Sequence, residues 1–282
     1  MRYECSWRVD VQKLPCLILV GLGLHDECGL TLRGLKSARD ADHIFIETYT
    51  NYMPDMSFSN LSNILGKEPI KLIRKDLEED SGRILEYAKK SKVAVLVPGD
   101  PLIATTHVQL AVEAKKLGIE VAVVPGVSIL SAAISQSGLQ SYKFGKSVTL
   151  PFARGRQFFE TPFEVVRENK AKGLHTLMYL DVDCEGRSMS IGEALALIMN
   201  WEETERKGVF LPSTLVVGLA RIGSDHPVVK AGSIEELRTY PFGPPPHILI
   251  FPGRLHFMER EALRYLAGAS EESLESISWA KK

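Results

Sequence analysis

The segment Gly99-Asp100-Pro101-Leu102-Ile103-Ala104-Thr105-Thr106-His107 holds more chemistry than any other part of the chain. It follows a valine-rich apolar run, 93–97, that reads as a buried strand, and helix-compatible sequence follows it. Such a strand-to-helix turn lies at the carboxyl end of a strand, where open α/β sheets bind ligands. Gly99 lets a ligand approach the backbone, Asp100 supplies a carboxylate and Pro101 fixes the bend. An Asp before Pro also builds turns that bind nothing, so the motif alone leaves both readings open.

Three further turns carry polar groups in similar places. Gly21-Leu22-Gly23-Leu24 ends an earlier strand, but the third glycine of a dinucleotide fingerprint is missing, since position 26 is Asp26. Glu47 could imitate the ribose-binding acid, yet the better reading is a turn that lets a flat ligand lie against Leu24; a tight strand exit explains the same glycines. In Pro125-Gly126-Val127-Ser128-Ile129, Gly126 is free to take a positive φ and Ser128 either caps the next helix or grips a ligand. Pro244-Pro245-Pro246-His247 leads stiffly into a strand, with His247 as a structural histidine or a hydrogen-bonding partner for adenine or ribose. His107 and His175 have no carboxylate or cysteine at ligand spacing, so no metal site is expected. Ser128, Ser131 and Ser147 lack a Gly-x-Ser-x-Gly elbow, which argues against nucleophilic hydrolysis.

These turns need a frame. Strands are expected at 17–20, 43–46, around 71–72, 93–97 and 120–124, with helices at 31–38, 60–65, 81–90 and 105–117. The alternation implies a mostly parallel sheet in an α/β domain. A second set follows, with strands at 147–150, 176–181, 214–220, 226–231 and 247–251 and helices at 161–172, 190–201, 234–238 and 255–266. The expected order is an N-terminal extension (1–13), an N-terminal α/β domain (14–137), a hinge (138–146), a C-terminal α/β domain (147–268) and a polar tail (269–282).

With 282 residues, 45% apolar and 24% charged, the chain suits a soluble two-domain protein. A formal charge of -1 gives no sign of a nucleic-acid partner. Cys5, Cys16, Cys28 and Cys184 show no zinc spacing and suit a reducing cytoplasm. The apolar run 14–24 is broken by Gly21 and Gly23, too short to span a membrane, and reads as a first strand.

Five stretches in register resemble the diphthine synthase family: Gly-Leu-Gly-Leu at 21–24, Gly-Asp-Pro-Leu-Ile-Ala-Thr-Thr-His at 99–107, Tyr-Lys-Phe-Gly-Lys-Ser at 142–147, Gly-Leu-His-Thr-Leu at 173–177 and Pro-Pro-His-Ile-Leu-Ile at 245–250. The resemblance covers about 17–268 and its compact form suggests an archaeal type. It implies an S-adenosylmethionine-dependent methyltransferase with two α/β domains of the tetrapyrrole methylase type, the cofactor in the inter-domain cleft, and a homodimer. The implied protein substrate is translation elongation factor 2, whose 3-amino-3-carboxypropyl-modified histidine is methylated successively on its amino group during diphthamide biosynthesis. By motif match, cofactor contacts fall on Leu24, Asp100, Ile103, Ser128, Ile129, Leu180, Ile222 and His247. No catalytic residue follows from the match, and S-adenosylhomocysteine would be the product.

One departure points elsewhere. Pro-Gly-Val-Ser at 125–128 is similar to the corrinoid and porphyrinogen methylases of the same fold, which keeps a tetrapyrrole substrate as an alternative. A factor that binds the elongation factor without transferring a methyl group is a second. The basic and aromatic loop 154–159, with Lys143 and Lys146, is the expected docking rim for the elongation factor. Asp100→Ala is expected to weaken cofactor binding more than it disturbs folding.

Overall fold

The computed structural model describes residues 15–49, 53–78, 80–153, 160–183 and 186–275. The expected N-terminal extension, the loop 154–159, Cys5, Cys184 and residues 276–282 of the tail lie outside the described residues. Two compact units emerge. One runs to Gly23 and resumes over 30–50 and 57–126; the other comprises 24–29, 51–56 and 127–282.

The first unit contains β1 (Cys16–Gly21), α1 (Leu32–Arg39), β2 (His43–Glu47), α2 (Phe58–Leu65), β3 (Ile70–Leu72), α3 (Arg74–Glu78), α4 (Gly82–Ala88), β4 (Lys92–Val97), α5 (Val108–Lys116) and β5 (Glu120–Val124). Its sheet has the order β3-β2-β4-β1-β5 with every pairing parallel, as the alternation implied. β1 is buried throughout and β4 nearly so, which is why both read as unbroken apolar runs instead of alternating ones. Leu17, Leu19, Val93, Val95 and Val97 pack with Leu85, Leu110 and Ala114 of the helices. Thr31 and Ser57 cap α1 and α2 by accepting the amides of Gly34 and Asn60.

α5 starts at Val108, later than the 105 expected from its pattern. Thr105 donates its hydroxyl to the Pro101 carbonyl at 2.7 Å, and His107 Nδ1 lies 3.3 Å from the same oxygen, so these side chains hold the turn open instead of extending the helix.

The second unit contains α6 (Ile129–Ser137), β6 (Val148–Leu150), α7 (Thr161–Ala171), β7 (Thr176–Leu180), α8 (Ile191–Glu205), β8 (Leu215–Ala220), β9 (Val228–Ser233), α9 (Ile234–Arg238), β10 (His247–Phe251), α10 (Phe257–Tyr265) and α11 (Glu271–Glu275). Its sheet, β6-β7-β10-β8-β9, is mixed: β6 and β7 are parallel, whereas β10 runs against both β7 and β8, and β9 runs against β8. The connection 221–227 is too short for the crossover a parallel β8–β9 pair would need.

The strands alternate cleanly between two cores. Met178, Val216, Leu249 and Phe251 face α7 and α8, meeting Phe163, Leu195 and Ile198. Leu177, Val217, Leu219, Ile248 and Ile250 face the other way, toward Ala133, Leu139, Leu263 and Leu274. α6 therefore belongs to the second unit, and the units divide at Gly126 and Val127, upstream of 138–146. Among the described residues no helix is long and apolar enough to cross a membrane.

Candidate functional site

In the first unit the turns after β1, β4 and β5 close on one another. Gly23 and Gly99 exchange backbone hydrogen bonds of 3.1 and 2.7 Å. A Cβ on Gly126 would sit 2.2 Å from the Gly99 carbonyl and 2.8 Å from Gly21, so no larger residue fits there without moving main chain. Gly126 is not among the glycines with positive φ, which corrects the reason expected for it: close approach, not backbone handedness.

Asp100 is buried at this junction. Its two oxygens accept the Leu102 amide at 3.0 Å and the Gly126 amide at 3.3 Å, tying the β4 turn to the β5 turn. The carboxylate thus has a folding task of its own. Asp100→Ala strands two amides in a closed turn and is expected to lower stability by about 1–3 kcal/mol, read by urea unfolding. An unchanged midpoint would show that the turn does not need the carboxylate.

The second unit holds a cavity that is open to solvent. Leu24 and His25 enter from the segment after β1, Ile129 from the first turn of α6, and Tyr179 and Leu180 from the end of β7. Leu219 and Ile222 come from the end of β8, and Pro246, His247 and Ile248 from the start of β10. Because β10 runs antiparallel to β7 and β8, its first residues lie beside their last ones, which gathers these side chains at one sheet end. Val182, Ser188 and Met189 complete the wall, with Val182 and Ser188 joined by an antiparallel bridge. Gly223 packs under this wall: a Cβ there would lie 2.7 Å from that of Leu24.

Two imidazoles set the polarity of the cavity. His247 Nδ1 accepts the Ile191 amide at 3.1 Å. Burial pushes its pKa down and the Arg221 guanidinium adds to this; the carbonyls of Pro244 and Gly243 offset it in part, leaving a value of about 4. The ring is therefore neutral at neutral pH, and with Nδ1 accepting, its proton is on Nε2. That Nε2 is buried without a hydrogen-bond partner of good geometry. His25 is 8% exposed and places Nε2 2.9 Å from Asp55 Oδ2, while its Nδ1 is buried and unpartnered. The Tyr179 phenol, raised by burial, bonds to Ser147.

Five of the eight residues expected to bind a ligand, Leu24, Ile129, Leu180, Ile222 and His247, line this one cavity. Ser128 is beside it in sequence, buried, with its hydroxyl accepting the Leu130 amide as the cap of α6. Asp100 and the partly exposed Ile103 belong to the first unit. Tyr179, Ile248 and Pro246 were detectable only as neighbours of Leu180 and His247. His25, Ser188 and Met189 carried no signal, because their place depends on a long-range pair and a bridge.

Lys143, expected on the docking rim, has its ammonium bonded to the buried Glu259 carboxylate and to the Arg254 carbonyl. Lys146 is exposed, and 154–159 lies outside the described residues. Among the described residues no three His, Cys, Asp or Glu side chains gather as metal ligands.

Residues 16–209 match the model of the Tetrapyrrole (Corrin/Porphyrin) Methylases. The diphthine synthase of Methanosarcina mazei is 42% identical over 266 residues, covering 93% of this chain and 99% of that protein. The diphthine synthase of Methanocaldococcus jannaschii is 44% identical over 253 residues, covering 89% and 98%. A crystal structure of diphthine synthase superimposes with a TM-score of 0.84 at 36% identity, covering 92% of this chain and 99% of that one. Near-complete coverage in both directions, at this identity and over the same fold, means that the chain belongs to the diphthine synthase family of the tetrapyrrole methylases.

Proposed function

We propose that the protein is an S-adenosylmethionine-dependent methyltransferase that methylates the amino group of the 3-amino-3-carboxypropyl-modified histidine of translation elongation factor 2. The observation that carries this reading is the single cavity shared by Leu24, Ile129, Leu180, Ile222 and His247, which come from five separate stretches of sequence. Their apolar faces suit a nucleoside ring, and the Nε2–H of His247, which makes no well-formed hydrogen bond within the protein, suits a nucleoside acceptor. The cofactor supplies a methyl group on a sulfonium, a leaving group that needs no acid assistance. The chain then has to bind, orient and exclude water. Leu24, Ile222 and Ile129 would form the walls and His247 would fix the orientation.

The spelling Pro-Gly-Val-Ser at 125–128 kept a tetrapyrrole as an alternative, but the closeness of Gly126 to Gly99 gives it a packing reason that needs no tetrapyrrole. Calorimetric titration with S-adenosylmethionine and transfer of labelled methyl to the modified elongation factor test the reading together. Binding without transfer would leave a non-catalytic factor, and transfer to uroporphyrinogen in place of the protein would restore the alternative.

The functional unit in this reading is a cytoplasmic homodimer. β5 is an edge strand with Val123 41% exposed, and α5, packed on it, exposes Val108 and Val112 one turn apart at 57% and 47%. Large apolar side chains exposed side by side on one unit mark a surface that a second copy would cover. Val112→Glu is expected to convert the dimer to monomer in size-exclusion chromatography with light scattering. A wild-type monomer at the same concentration would remove this surface from consideration.

A further inference from the structure

We propose that His25 is the general base that takes a proton from the substrate amino group, with Asp55 as its positioning residue. The inference rests on the methyltransferase reading above, since an amine that is protonated near neutral pH has no lone pair for attack on a methyl carbon.

His25 sits at φ 72, a left-handed conformation uncommon for a residue with a side chain. It is held there twice by one residue: Asp55 Oδ2 is 2.9 Å from Nε2, and the Asp55 amide donates to the His25 carbonyl at 3.4 Å. A carboxylate accepts only, so in the neutral ring the proton is on Nε2 and Nδ1 carries the lone pair. That nitrogen has lost water and gained no protein partner, while the ring lines the cavity. A buried acceptor left unmade is costly, and a ligand N–H is the partner that removes the cost. His247 offers the reverse in the same cavity, a donor Nε2–H fixed by the Ile191 amide. One ring is therefore set to receive a proton and the other to hold an acceptor.

The titratable groups around His25 are Asp26 and Glu27 on its own segment, Asp55 on the facing one, and Tyr179 and His247 on the cavity wall. In the proposed step an N–H bond of the substrate ammonium breaks and its electron pair stays on nitrogen as the nucleophile. The proton forms a new bond to Nδ1, and the imidazolium charge is balanced by Asp55. The proton passes to water before the next cycle; the Asp55 side chain, 72% exposed, faces solvent.

His25→Asn is the decisive variant, because Asn tolerates the left-handed backbone and keeps an oxygen near the Nδ1 position but takes up no proton. The expected result is a kcat at neutral pH lower by about 10²–10⁴-fold, unchanged S-adenosylmethionine affinity by calorimetry, and loss of the imidazole inflection in the pH–rate profile. Asp55→Asn donates to Nε2 and drives the proton onto Nδ1. Its ring ¹⁵N shifts in the cofactor-free protein should show the exchanged tautomer, and its rate should fall with that of His25→Asn. Wild-type kcat and pH profile in His25→Asn would overturn the proposal. So would a loss confined to cofactor affinity, or a wild-type ring protonated on Nδ1. A wild type that transfers no methyl group to the modified factor removes the methyltransferase reading itself, whereas the other outcomes remove only the role of His25.

Discussion

Glu259→Ala is expected to lower folding stability by about 3–5 kcal/mol, the usual cost of removing one partner from a buried charged network. Glu259 is 1% exposed, and its two oxygens collect four donors. The Gln140 amide and His175 Nε2 reach Oε1, both at 2.9 Å; the His256 amide at 2.7 Å and the Lys143 ammonium reach Oε2. His175 is itself fixed, because its Nδ1 accepts the Gly253 amide at 2.9 Å and so its proton is on Nε2. One carboxylate thereby ties the segment before β6, the start of β7 and the N-terminus of α10 into one unit. Removing it strands an ammonium and a buried imidazole N–H together.

The same residue sets a pH dependence with a definite sign. Burial would raise the Glu259 carboxyl, but the hydrogen bonds from His175, the His256 amide, Lys143 and the Gln140 amide outweigh it and bring the value from 4.5 to about 2. A carboxyl depressed on folding adds stability that is complete above its unfolded value and is lost as pH falls through the folded one. The stability gap between wild type and Glu259→Ala should thus be full at pH 7 and shrink between about pH 4.5 and 2. Urea titrations across that range check it, and a gap independent of pH would show that the carboxylate is not held ionised.

How far the sequence carried this far depends on the range of the interaction involved. All ten strands among the described residues were foreseeable, because buried parallel strands such as 93–97 and alternating ones such as 247–251 announce themselves within a few residues. The mixed second sheet was not, since strand direction depends on connection length and on pairings such as Ile248 with Tyr179 and Leu219. Helix α6 was legible only as the consequence of its Ser128 cap, and its membership of the second unit depends on Leu139 meeting Leu263 across the chain. The segment 138–146 read as a hinge with Lys143 on a docking rim; Lys143 is in an ion pair with Glu259, 116 positions away. In the cavity, Leu24 and His247 stood out at their turns and Leu180 and Ile222 came from resemblance, while His25 needed Asp55, 30 positions distant, before its ring acquired a direction.

His247→Asn is expected to weaken S-adenosylmethionine binding by roughly 5- to 150-fold, which corresponds to about 1–3 kcal/mol for a buried ligand group left without its partner. Asn is the informative replacement because its side-chain oxygen stands near the Nδ1 position and still accepts the Ile191 amide, so the start of α8 keeps its partner. What it lacks is the reach of Nε2, which has no well-formed hydrogen bond inside the protein although the Pro244 and Gly243 carbonyls lie near it. Folding should change little by comparison with binding, and the two are separated by urea unfolding of the free protein and calorimetric titration of the same sample. The wild-type affinity has its own signature in pH. With a pKa of about 4, the imidazole stays neutral through the range in which a free histidine would charge. Binding that depends on the neutral ring should therefore hold from pH 8 to about 5 and weaken only as pH falls through about 4. Below that point Nδ1 gains a proton that faces the Ile191 N–H, two donors meeting where one bond was. Affinity that fell instead near pH 6.5 would mean that the ring titrates like one in water and does not orient the nucleoside from inside the cavity.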